Sequence, residues 1–520
     1  MLVRSLTLAA CLLATQVRAE DLTIGMAGAV TSMDPHFHNA SPNNSLAMQI
    51  FDRLVERGPD GQLRPGLAES WAPIGETAWE FKLRSGVTWH DGKPLTGDDV
   101  AFSLTRARSV PNSPGGFGGF LRNIGAVTEI SPLLLRIETK APSPGLPGDL
   151  ANVAIVSRHV GEGATTADYN SGKAAIGTGA YRLLRFNPGE RVELARNPGW
   201  WNGSPAWEKA TYRMMPNAAS RTAALLSRDV DMIEMPGAAD LPRLRQTAGV
   251  RVVSGAGLRV IYLAPSSKPQ LPNPAFATAA DGSPLPANPL AKREVRQALS
   301  VAINRQALVE RVMEGTATAT AQILPAGTFS YDATLRVPAP APDEARALLK
   351  QAGFPDGFRL TLHVPSDRYP NAPAIGQAIA QMWTRIGVRT TLVSLPWSAY
   401  SAQNGSFAIS LVGLGNATFD ATSMLVNVLG TRDPSRGTGA SNDMGYSNPA
   451  LDALTARAAS TFDPPAREAL LIEATRQAMG DGAIIPLYHQ SNTWALREGL
   501  DYTPRVDERT LAKDVRAARP

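Results

Sequence analysis

The clearest hydrophobic pattern in the chain lies between residues 78 and 104. Apolar and charged side chains alternate over residues 79–84, which is the period of a strand with one buried face. A Ser-Gly pair interrupts this pattern, and residues 87–89 resume it. The Thr-Gly-Asp-Asp sequence at 96–99 is typical of a helix start, because a Thr followed three residues later by an acid forms a capping box. We therefore predict a strand, a turn, a second strand and a helix.

Further along the chain, the pattern predicts helices that alternate with strands. Residues 358–364 and 388–395 favour strands, and residues 375–386 between them favour a helix. A strand, a helix and a second strand in this order predict a parallel pair with a crossover connection. Apolar residues at helical spacing also predict one long helix over residues 291–313. Residues 176–201 predict a hairpin that turns at an Asn-Pro-Gly-Glu sequence.

The composition is that of a soluble globular protein with more than one core. The chain has 520 residues, of which 43% are hydrophobic and 19% charged. This length exceeds what a single core holds, so we expect two or three domains. The formal charge of +5 is spread along the sequence without a run of Lys or Arg, which argues against a nucleic-acid partner.

The N-terminus has the features of an export signal. Arg4 precedes an apolar stretch at residues 6–13. Val17 and Ala19 then place small residues at the positions that signal peptidase requires before its cleavage site. This predicts a signal peptide at residues 1–19 and a protein secreted to the periplasm. The only cysteine, Cys11, lies in this segment, so we expect a mature protein without disulfides. The alternative is a lipoprotein-type box at residues 8–11, which would leave Cys11 as a lipid anchor.

Separated blocks of sequence carry a family resemblance. One block reads LAESW at 67–71 and WEFKLRSGVTWHDGKPLTGDDVAFSL at 79–104. Others read IGTGAYRLLRFNPGERVELARNPGWW at 176–201, VDMI at 230–233 and IPLY at 485–488. In these blocks the chain closely resembles the bacterial family 5 extracellular solute-binding proteins, which are the peptide and nickel receptors of ABC importers. The resemblance extends over about residues 21–500.

The resemblance implies an α/β fold of the periplasmic binding protein kind, class II-like and of the dipeptide/oligopeptide-receptor type. Two hinged lobes and an extra domain are expected. Lobe I would comprise residues 20–57, 176–270 and 481–520, the inserted domain residues 58–175, and lobe II residues 271–480. The implied function is a periplasmic receptor that binds a small peptide-like ligand between the lobes and delivers it to an inner-membrane ABC permease. We expect a monomer that needs no cofactor and binds no nucleic acid.

Sequence marks of catalysis are missing. The chain has no Gly-x-Ser-x-Gly elbow of a serine hydrolase, and neither of its Gly-Lys pairs is followed by the Ser or Thr of a phosphate-binding loop. Without a cysteine in the mature protein, thiol catalysis is excluded as well. We therefore expect a protein that is not an enzyme. The alternative is a secreted hydrolase, which any turnover by the purified protein would support.

Metal binding is a separate question, because nickel is a cargo of the family that the chain resembles. Of the six histidines, only His36 and His38 are close in sequence. Two imidazoles in one loop can bind a metal together with outside ligands, so a nickel or metal-chelate receptor is an alternative. The interpretation that we adopt has no metal site. It places His36 and His38 as polar loop residues at the cleft edge, with His36 among the ligand-binding residues, and His90 in a structural role.

A peptide-like ligand needs a guanidinium for its carboxylate and aromatic walls for its side chains. Arg368 lies in a Pro-Ser-Asp-Arg sequence just after a predicted strand. The dipeptide-binding proteins that the chain resembles have a similar segment, whose arginine holds the C-terminus of the peptide. The alternative for Arg368 is an exposed loop residue paired with Asp367. Trp397 and Tyr400 are the expected aromatic walls, with core packing as their alternative.

The sequence departs from the family pattern where the ligand's amine would be bound. The peptide receptors that it resembles have a Gly-Trp-x-Ala-Asp segment whose Asp takes the amine, whereas this chain has Ala417 at that position and Leu414 in place of the Trp. Asn416 and Asp420 are the expected polar contacts nearby. A neutral Asn supplies no full charge for an ammonium group. Modified peptides, opines and amino-acid conjugates are therefore alternative ligands.

Overall fold

The computed structural model describes residues 21–518 with the exception of residues 367, 404 and 417. The predicted signal peptide and the lipid-anchor alternative at Cys11 lie outside the described residues. Within the described part of the chain, no helix combines the length and the apolar character that crossing a membrane requires.

Strands form the framework of the fold. In chain order they are β1 Leu22–Met26, β2 Val55–Arg57, β3 Leu63–Pro65, β4 Ala68–Pro73, β5 Ala78–Leu83, β6 Ile124–Ser131, β7 Leu134–Thr139, β8 Tyr181–Asn187, β9 Arg191–Arg196 and β10 Lys209–Met214. They continue with β11 Met232–Glu234, β12 Val250–Pro265, β13 Ala277–Ala279, β14 Ala317–Ala319, β15 Phe358–Pro365, β16 Val388–Leu395, β17 Ile409–Gly415, β18 Ile485–Arg497, β19 Leu500–Asp501 and β20 Arg516–Ala517.

Helices cover the sheets and connect the strands. In chain order they are α1 Ser41–Ile50, α2 Gly97–Arg106, α3 Gly118–Leu121, α4 Leu146–Leu150, α5 Arg158–Gly161, α6 Thr166–Asn170, α7 Ala218–Leu226 and α8 Leu241–Gln246. They continue with α9 Arg293–Val301, α10 Arg305–Ala307, α11 Pro342–Gln351, α12 Ala372–Thr384, α13 Trp397–Ser401, α14 Thr422–Asn427, α15 Pro449–Ser460 and α16 Pro464–Gly480. Short 3₁₀ turns lie at Ala238–Asp240, Pro274–Phe276, Pro289–Ala291 and Ala512–Asp514.

A large mixed sheet connects most of the strands. Its order is β13-β15-β17-β12-β18-β11-β1-β10-β9-β8, with β14 beside β18 and β16 beside β15. We call the half built on β1 and β8–β11 lobe I, and the half built on β13–β17 lobe II. The long strands β12 and β18 pass through both halves and pair with each other in antiparallel fashion. The α/β class predicted from the sequence is therefore confirmed.

The pairing of β12 with β18 is interrupted where the lobes meet. Residues 250–256 of β12 pair on the lobe I side and residues 260–263 on the lobe II side, with a register shift between them. Gly257 lies in this bulge, and a Cβ there would come within 2.7 Å of the Gln490 carbonyl oxygen. A bulge bends a strand pair and increases its twist. The two shared strands therefore bend at the boundary between the lobes.

Separate hydrophobic cores stabilise the parts of the fold. The lobe I core includes Ile24, Tyr212 and Trp494. The lobe II core includes Leu362 and Trp383. A further core is formed between residues 54 and 155, around the four-stranded sheet β4-β5-β7-β6. Separate cores are what a chain of this length needs, because one core does not grow to such a size.

The predicted β-α-β unit is the framework of lobe II. β15, α12 and β16 follow one another along the chain, and β15 pairs with β16 in parallel over its whole length. α12 buries Ile375, Ile379 and Trp383. The Trp383 indole N–H donates to the Leu299 carbonyl at 2.9 Å, which joins this unit to α9. The prediction is confirmed, because the helical period of the apolar residues matches the face that packs.

The strand predicted at 79–84 is confirmed as β5, but its predicted partner is wrong. Residues 87–89 form an isolated bridge rather than a strand, and β5 pairs instead with β4 and β7. The physical reason is a tight turn. The Trp89 N–H donates to the Lys93 carbonyl at 2.8 Å, so the chain turns back before a second strand forms.

The helix predicted after this turn is α2. The Thr96 N–H and hydroxyl both donate to the Asp99 carboxylate at 2.9 Å, which completes the capping box. Asp99 also accepts the Arg158 N–H at 2.7 Å and thereby attaches α5 to α2. The prediction of the helix start is confirmed because all of its donors and acceptors are neighbours in sequence.

The long helix predicted over residues 291–313 is wrong as a single element. α9 ends at Val301, and α10 begins after Asn304, whose side chain accepts the Ala307 N–H at 2.9 Å. Asn favours such caps because its side chain competes with the backbone for hydrogen bonds. A π-helical turn follows at Leu308–Val312. The apolar residues that predicted one helix are distributed over α9, α10 and this π-helical turn.

His90 connects the region between β5 and α2 to lobe I. Its Nδ1 accepts the Gly177 N–H at 3.2 Å, and its Nε2–H donates to the Gly179 carbonyl at 3.1 Å. Burial lowers the pKa of His90 to about 4. The neutral imidazole therefore serves as one acceptor and one donor, and the structural role predicted for His90 is confirmed.

We expect His90→Ala to lower the free energy of unfolding by about 1–3 kcal/mol, because the buried Gly177 N–H and Gly179 carbonyl lose their partners. Urea unfolding followed by tryptophan fluorescence measures the change. His38→Ala is the matched control, since His38 is half-buried and contacts the Thr31 hydroxyl. Equal stability of His90→Ala and the wild type would contradict the structural role.

Candidate functional site

A cleft of about 530 Å³ lies where the two lobes face each other. Residues of lobe I form one wall, which comprises Gly28, Ser41, Pro42, Ser45, Glu234, Met235 and Glu508. Residues of lobe II form the other wall, which comprises Arg259, Arg368, Tyr369 and Pro370, and the shared strand β18 contributes Gln490. An adjoining cavity of about 220 Å³ shares Glu234, Met235 and Glu508. This volume is of the size that holds a small solute.

Buried ion pairs hold the loop that carries Glu508. The Arg505 guanidinium donates to the Asp507 carboxylate at 2.9 and 2.7 Å and reaches Asp514 at 3.2 Å. Although burial opposes ionisation of Asp507, the charges of Arg505 and Arg509 keep the pKa of Asp507 below its usual value. Glu508 itself has a φ of 58° and an exposed side chain. The loop therefore places an ionisable group on the cleft from a rigid base.

Glu234 ends strand β11 on the same wall. Its Oε1 accepts the Ala27 N–H at 2.8 Å, its Oε2 accepts the Thr510 hydroxyl at 2.5 Å, and burial raises its pKa. The next residue, Met235, is 51% exposed and has a φ of 48°, a conformation that costs about 1–2 kcal/mol. Arg221 donates to the carbonyls of Glu234 and Met235 at 3.0 and 2.6 Å. These bonds hold the strained turn at the cleft.

The wall contributed by lobe II is basic. Arg368 follows β15, and its guanidinium lies 5.4 Å from the centre of the Trp397 ring and 5.8 Å from that of Tyr369. Arg259 lies on β12 beside Gly415 of β17. A Cβ on Gly415 would be 3.7 Å from a guanidinium nitrogen of Arg259. Among the described residues, neither arginine has an ion-pair or hydrogen-bond partner. The two walls therefore differ in the sign of their charge.

Arg368, the predicted carboxylate binder, lies on the cleft with Trp397 beside its guanidinium, whereas Tyr400 does not line the cleft. Tyr400 is 1% exposed, and its hydroxyl donates to the Leu411 carbonyl at 2.8 Å. Its ring stacks on Trp397 with 5.7 Å between the ring centres. The expectation of Tyr400 as a cleft wall is corrected to core packing, because a buried phenol with a satisfied hydroxyl offers a ligand no surface. Tyr369, which was not predicted, lines the cleft instead.

Asn416 and Asp420 also lie away from the residues that line the cleft. The Asn416 amide donates to the Asp420 carbonyl at 2.6 Å, and the Asp420 carboxylate pairs with Arg467 at 2.6 Å. Both residues are buried. The expectation that they contact the ligand is corrected, because their polar groups stabilise their own loop and its attachment to α16. Ala417, the position of the missing acid, lies outside the described residues.

His36 is fully buried in a structural network. Its Nε2–H donates to the Ala154 carbonyl at 2.8 Å, and its Nδ1 accepts from Arg106 at 3.1 Å. Arg106 in turn pairs with Asp34 at 2.6 Å. His36 is therefore corrected from a residue at the cleft edge to a core residue, because both ring nitrogens are engaged. In the described ranges, no group of three or more His, Cys, Asp or Glu side chains is arranged to hold a metal ion.

Sequence reasoning missed most of the cleft. Glu234 and Arg259 come from one region of the chain, and Gln490 and Glu508 come from another more than 200 residues later. None of them belongs to a motif with a local signature. One signal was present, since Glu234 and Arg368 are charged residues next to the ends of apolar strands. Such positions often carry function, because loops at strand ends reach the surface on a rigid scaffold.

Comparison with known proteins identifies the fold. The family model for bacterial extracellular solute-binding proteins, family 5 Middle, matches residues 62–436. The dipeptide-binding protein of Escherichia coli (strain K12) is 27% identical over 447 residues, which cover 79% of each chain. Heme-binding protein A of Haemophilus influenzae is 26% identical over 476 residues, which cover 86% of this chain and 82% of that protein. The structure of the periplasmic murein tripeptide-binding protein, in its unliganded open form, aligns with a TM-score of 0.81 and 22% identity over 96% of this chain and 98% of that chain. This likeness confirms the predicted periplasmic binding protein fold.

We expect the protein to lose stability between pH 7 and pH 5 because of His36. Burial and the charge of Arg106 lower the pKa of His36 to about 4 from the ordinary value of 6.5. As the pH falls through 6.5, the unfolded chain binds a proton that the folded chain does not bind until about pH 4. At pH 5 this difference costs about 2 kcal/mol, which urea unfolding at both pH values measures.

The variant His36→Gln is the control for this prediction, because glutamine binds no proton in either state. Its stability should fall less than that of the wild type between the two pH values. A His36 imidazole that titrates near pH 6.5 in the NMR spectrum of the folded protein would contradict the prediction. An equal loss of stability in the variant and the wild type would contradict it as well.

Proposed function

This chain belongs to the bacterial extracellular solute-binding proteins of family 5, and from that premise we propose that it delivers a peptide-like solute to an ABC importer. Its family makes it a solute-binding receptor of the ABC-importer type. The observation that carries the proposal is Arg368, which lies exposed on the inter-lobe cleft with no carboxylate partner among the described residues. The carboxylate of a solute would supply this partner in a bidentate pair.

Binding and closure are coupled through the shared strands. A solute in the cleft contacts both walls, so it favours the state in which the walls approach each other. The bulge at residues 256–260 of β12 provides the hinge for this movement. The closed shape, rather than the solute alone, is what the inner-membrane permease recognises.

The protein performs no chemistry in this proposal. The relatives compared above are named as binding proteins. Within the described part of the chain, the cleft is lined by Ser41 and Ser45 but by no histidine or cysteine that would activate a nucleophile. We propose that the protein acts in the periplasm, where the murein tripeptide-binding protein of the same fold is named as periplasmic, and that it acts there as a monomer.

An opine or another amino-acid conjugate is the alternative solute. The observation that favours it is Ala417, which stands where the peptide receptors that the chain resembles have an amine-binding acid. A conjugate keeps a carboxylate for Arg368 without needing that acid. The nickel or metal-chelate alternative has less support, because His36 is buried with both ring nitrogens engaged.

We expect Arg368→Ala to weaken binding of the native solute by about tenfold or more, because a hydrogen bond to a charged group contributes about 1.5–3 kcal/mol. Mass spectrometry of the protein purified from the periplasm identifies the solute that co-purifies with it. Calorimetric titration of that solute into protein stripped by unfolding and refolding then measures the affinity.

Arg389→Ala is the matched control for Arg368→Ala. Arg389 is an exposed arginine on the neighbouring strand β16 and does not line the cleft. Its replacement removes the same charge from the same lobe and should leave the affinity unchanged. If a solute that bears a carboxylate binds Arg368→Ala as tightly as the wild type, Arg368 is not part of the site.

A further inference from the structure

The charges of the cleft are divided between its two walls. Glu234 and Glu508 belong to the lobe I wall, whereas Arg259 and Arg368 belong to the lobe II wall. We propose that the cleft selects solutes that carry both a cationic and an anionic group, with the cation bound at Glu508 and the anion at the two arginines. This inference rests on the proposed receptor function and names the residue that selects for the cation.

Glu508 is the carboxylate that is open to a cation. Its side chain is exposed and lines both the cleft and the adjoining cavity. Among the described residues, its carboxylate has no hydrogen bond or ion pair. Arg505 and Arg509 form their ion pairs with the buried Asp507, at 2.7 and 3.7 Å, and not with Glu508. The loop therefore presents to the cleft a carboxylate that no ion pair of the described residues engages.

Glu234 supports Glu508 without competing for the cation. Its two oxygens already accept the Ala27 N–H and the Thr510 hydroxyl, and its side chain is buried. Because Glu234 is buried while Glu508 is exposed, Glu508 is the carboxylate that a solute cation reaches first. The Thr510 bond also connects Glu234 to the loop that carries Glu508. Replacing Glu508 therefore changes the charge of the wall without removing a bond that holds the fold.

Arg259 and Arg368 form the opposite pole of the cleft. The Arg259 guanidinium packs beside Gly415, where a Cβ would be in van der Waals contact with it at 3.7 Å. The Trp397 ring, 5.4 Å from the Arg368 guanidinium, stabilises the cation by a cation–π contact. Neither guanidinium has an acidic partner within the described ranges. Two such cations on one wall produce a positive potential that an anionic group of the solute neutralises.

The division of charge matters because the walls approach each other when the lobes close. In the open cleft, water and salt screen each charge. Closure removes water and makes an unpaired charge costly. A solute with both charges pairs both walls, whereas a solute without a cation leaves Glu508 unpaired. The closed state is therefore favoured for one class of solute and disfavoured for the other.

Three matched mixtures of dipeptides with uncharged side chains test this inference. One mixture is unmodified, the second is N-acetylated and lacks the cation, and the third is C-amidated and lacks the anion. Native mass spectrometry of the purified full chain measures what each mixture contributes to the bound population. We expect the wild type to bind the unmodified dipeptides about tenfold or more tightly than either derivative. Glu508→Gln should lose the preference over the N-acetylated form only, and Arg368→Gln the preference over the amidated form only.

The control variant separates a specific effect of Glu508 from an effect of net charge, and the outcomes separate the role of Glu508 from the receptor function. Glu498→Gln removes an exposed carboxylate at the end of β18, outside the cleft, and should keep both preferences. Equal binding of the unmodified and N-acetylated mixtures by the wild type would overturn the role of Glu508 and leave the receptor function standing. Failure of all three mixtures to bind would overturn the peptide-like solute and this inference together. A loss of preference in Glu498→Gln would show an effect of net charge and overturn the assignment to Glu508.

Discussion

The whole arrangement depends on two strands that belong to both lobes. β12 and β18 pair on either side of the bulge at residues 256–260, and any relative movement of the lobes passes through this pair. A bulge leaves backbone groups without ladder partners, and here other segments supply them. The Leu258 N–H in the bulge donates to the Val506 carbonyl at 3.0 Å, and the Asn492 side-chain amide on β18 donates to the carbonyls of Arg505 and Val506 at 2.9 and 3.2 Å. The interrupted strand pair is therefore tied directly to the loop that carries Glu508.

The buried ion pairs restrict the conformation of the loop that carries Glu508, but they add little to the free energy of unfolding. Arg505 is 2% exposed, pairs with Asp507 and also donates to the Arg57 carbonyl at 3.1 Å. A buried ion pair gains little net free energy, because desolvation offsets most of the attraction. Its geometry, however, is restrictive, since each donor and acceptor loses water and needs a partner. The network thus holds one backbone conformation of the loop and, with it, the position of Glu508.

The polarity of the cleft arises from topology rather than from composition. The net positive charge is spread along the sequence, yet the cleft has carboxylates on one wall and guanidiniums on the other. Strand β18 returns the chain from lobe II to lobe I, where Leu500, Tyr502 and Val515 pack into the lobe I core. This return brings Glu508 to the wall that already holds Glu234. A receptor that closes on its solute gains from this separation, because each lobe then recognises a different group.

The sequence alone determined the family, the α/β class and elements such as β5, α2 and the β-α-β unit, because periodicity and capping depend on residues that are neighbours in the chain. It also pointed to Arg368, because this arginine lies in a short segment directly after a predicted strand. Only the tertiary structure decided which strands pair with β5, that His36 and Tyr400 are core residues, and that Glu508 faces the cleft. The reason is physical, since burial, charge pairing and the lining of a cleft depend on contacts between segments that are far apart in sequence.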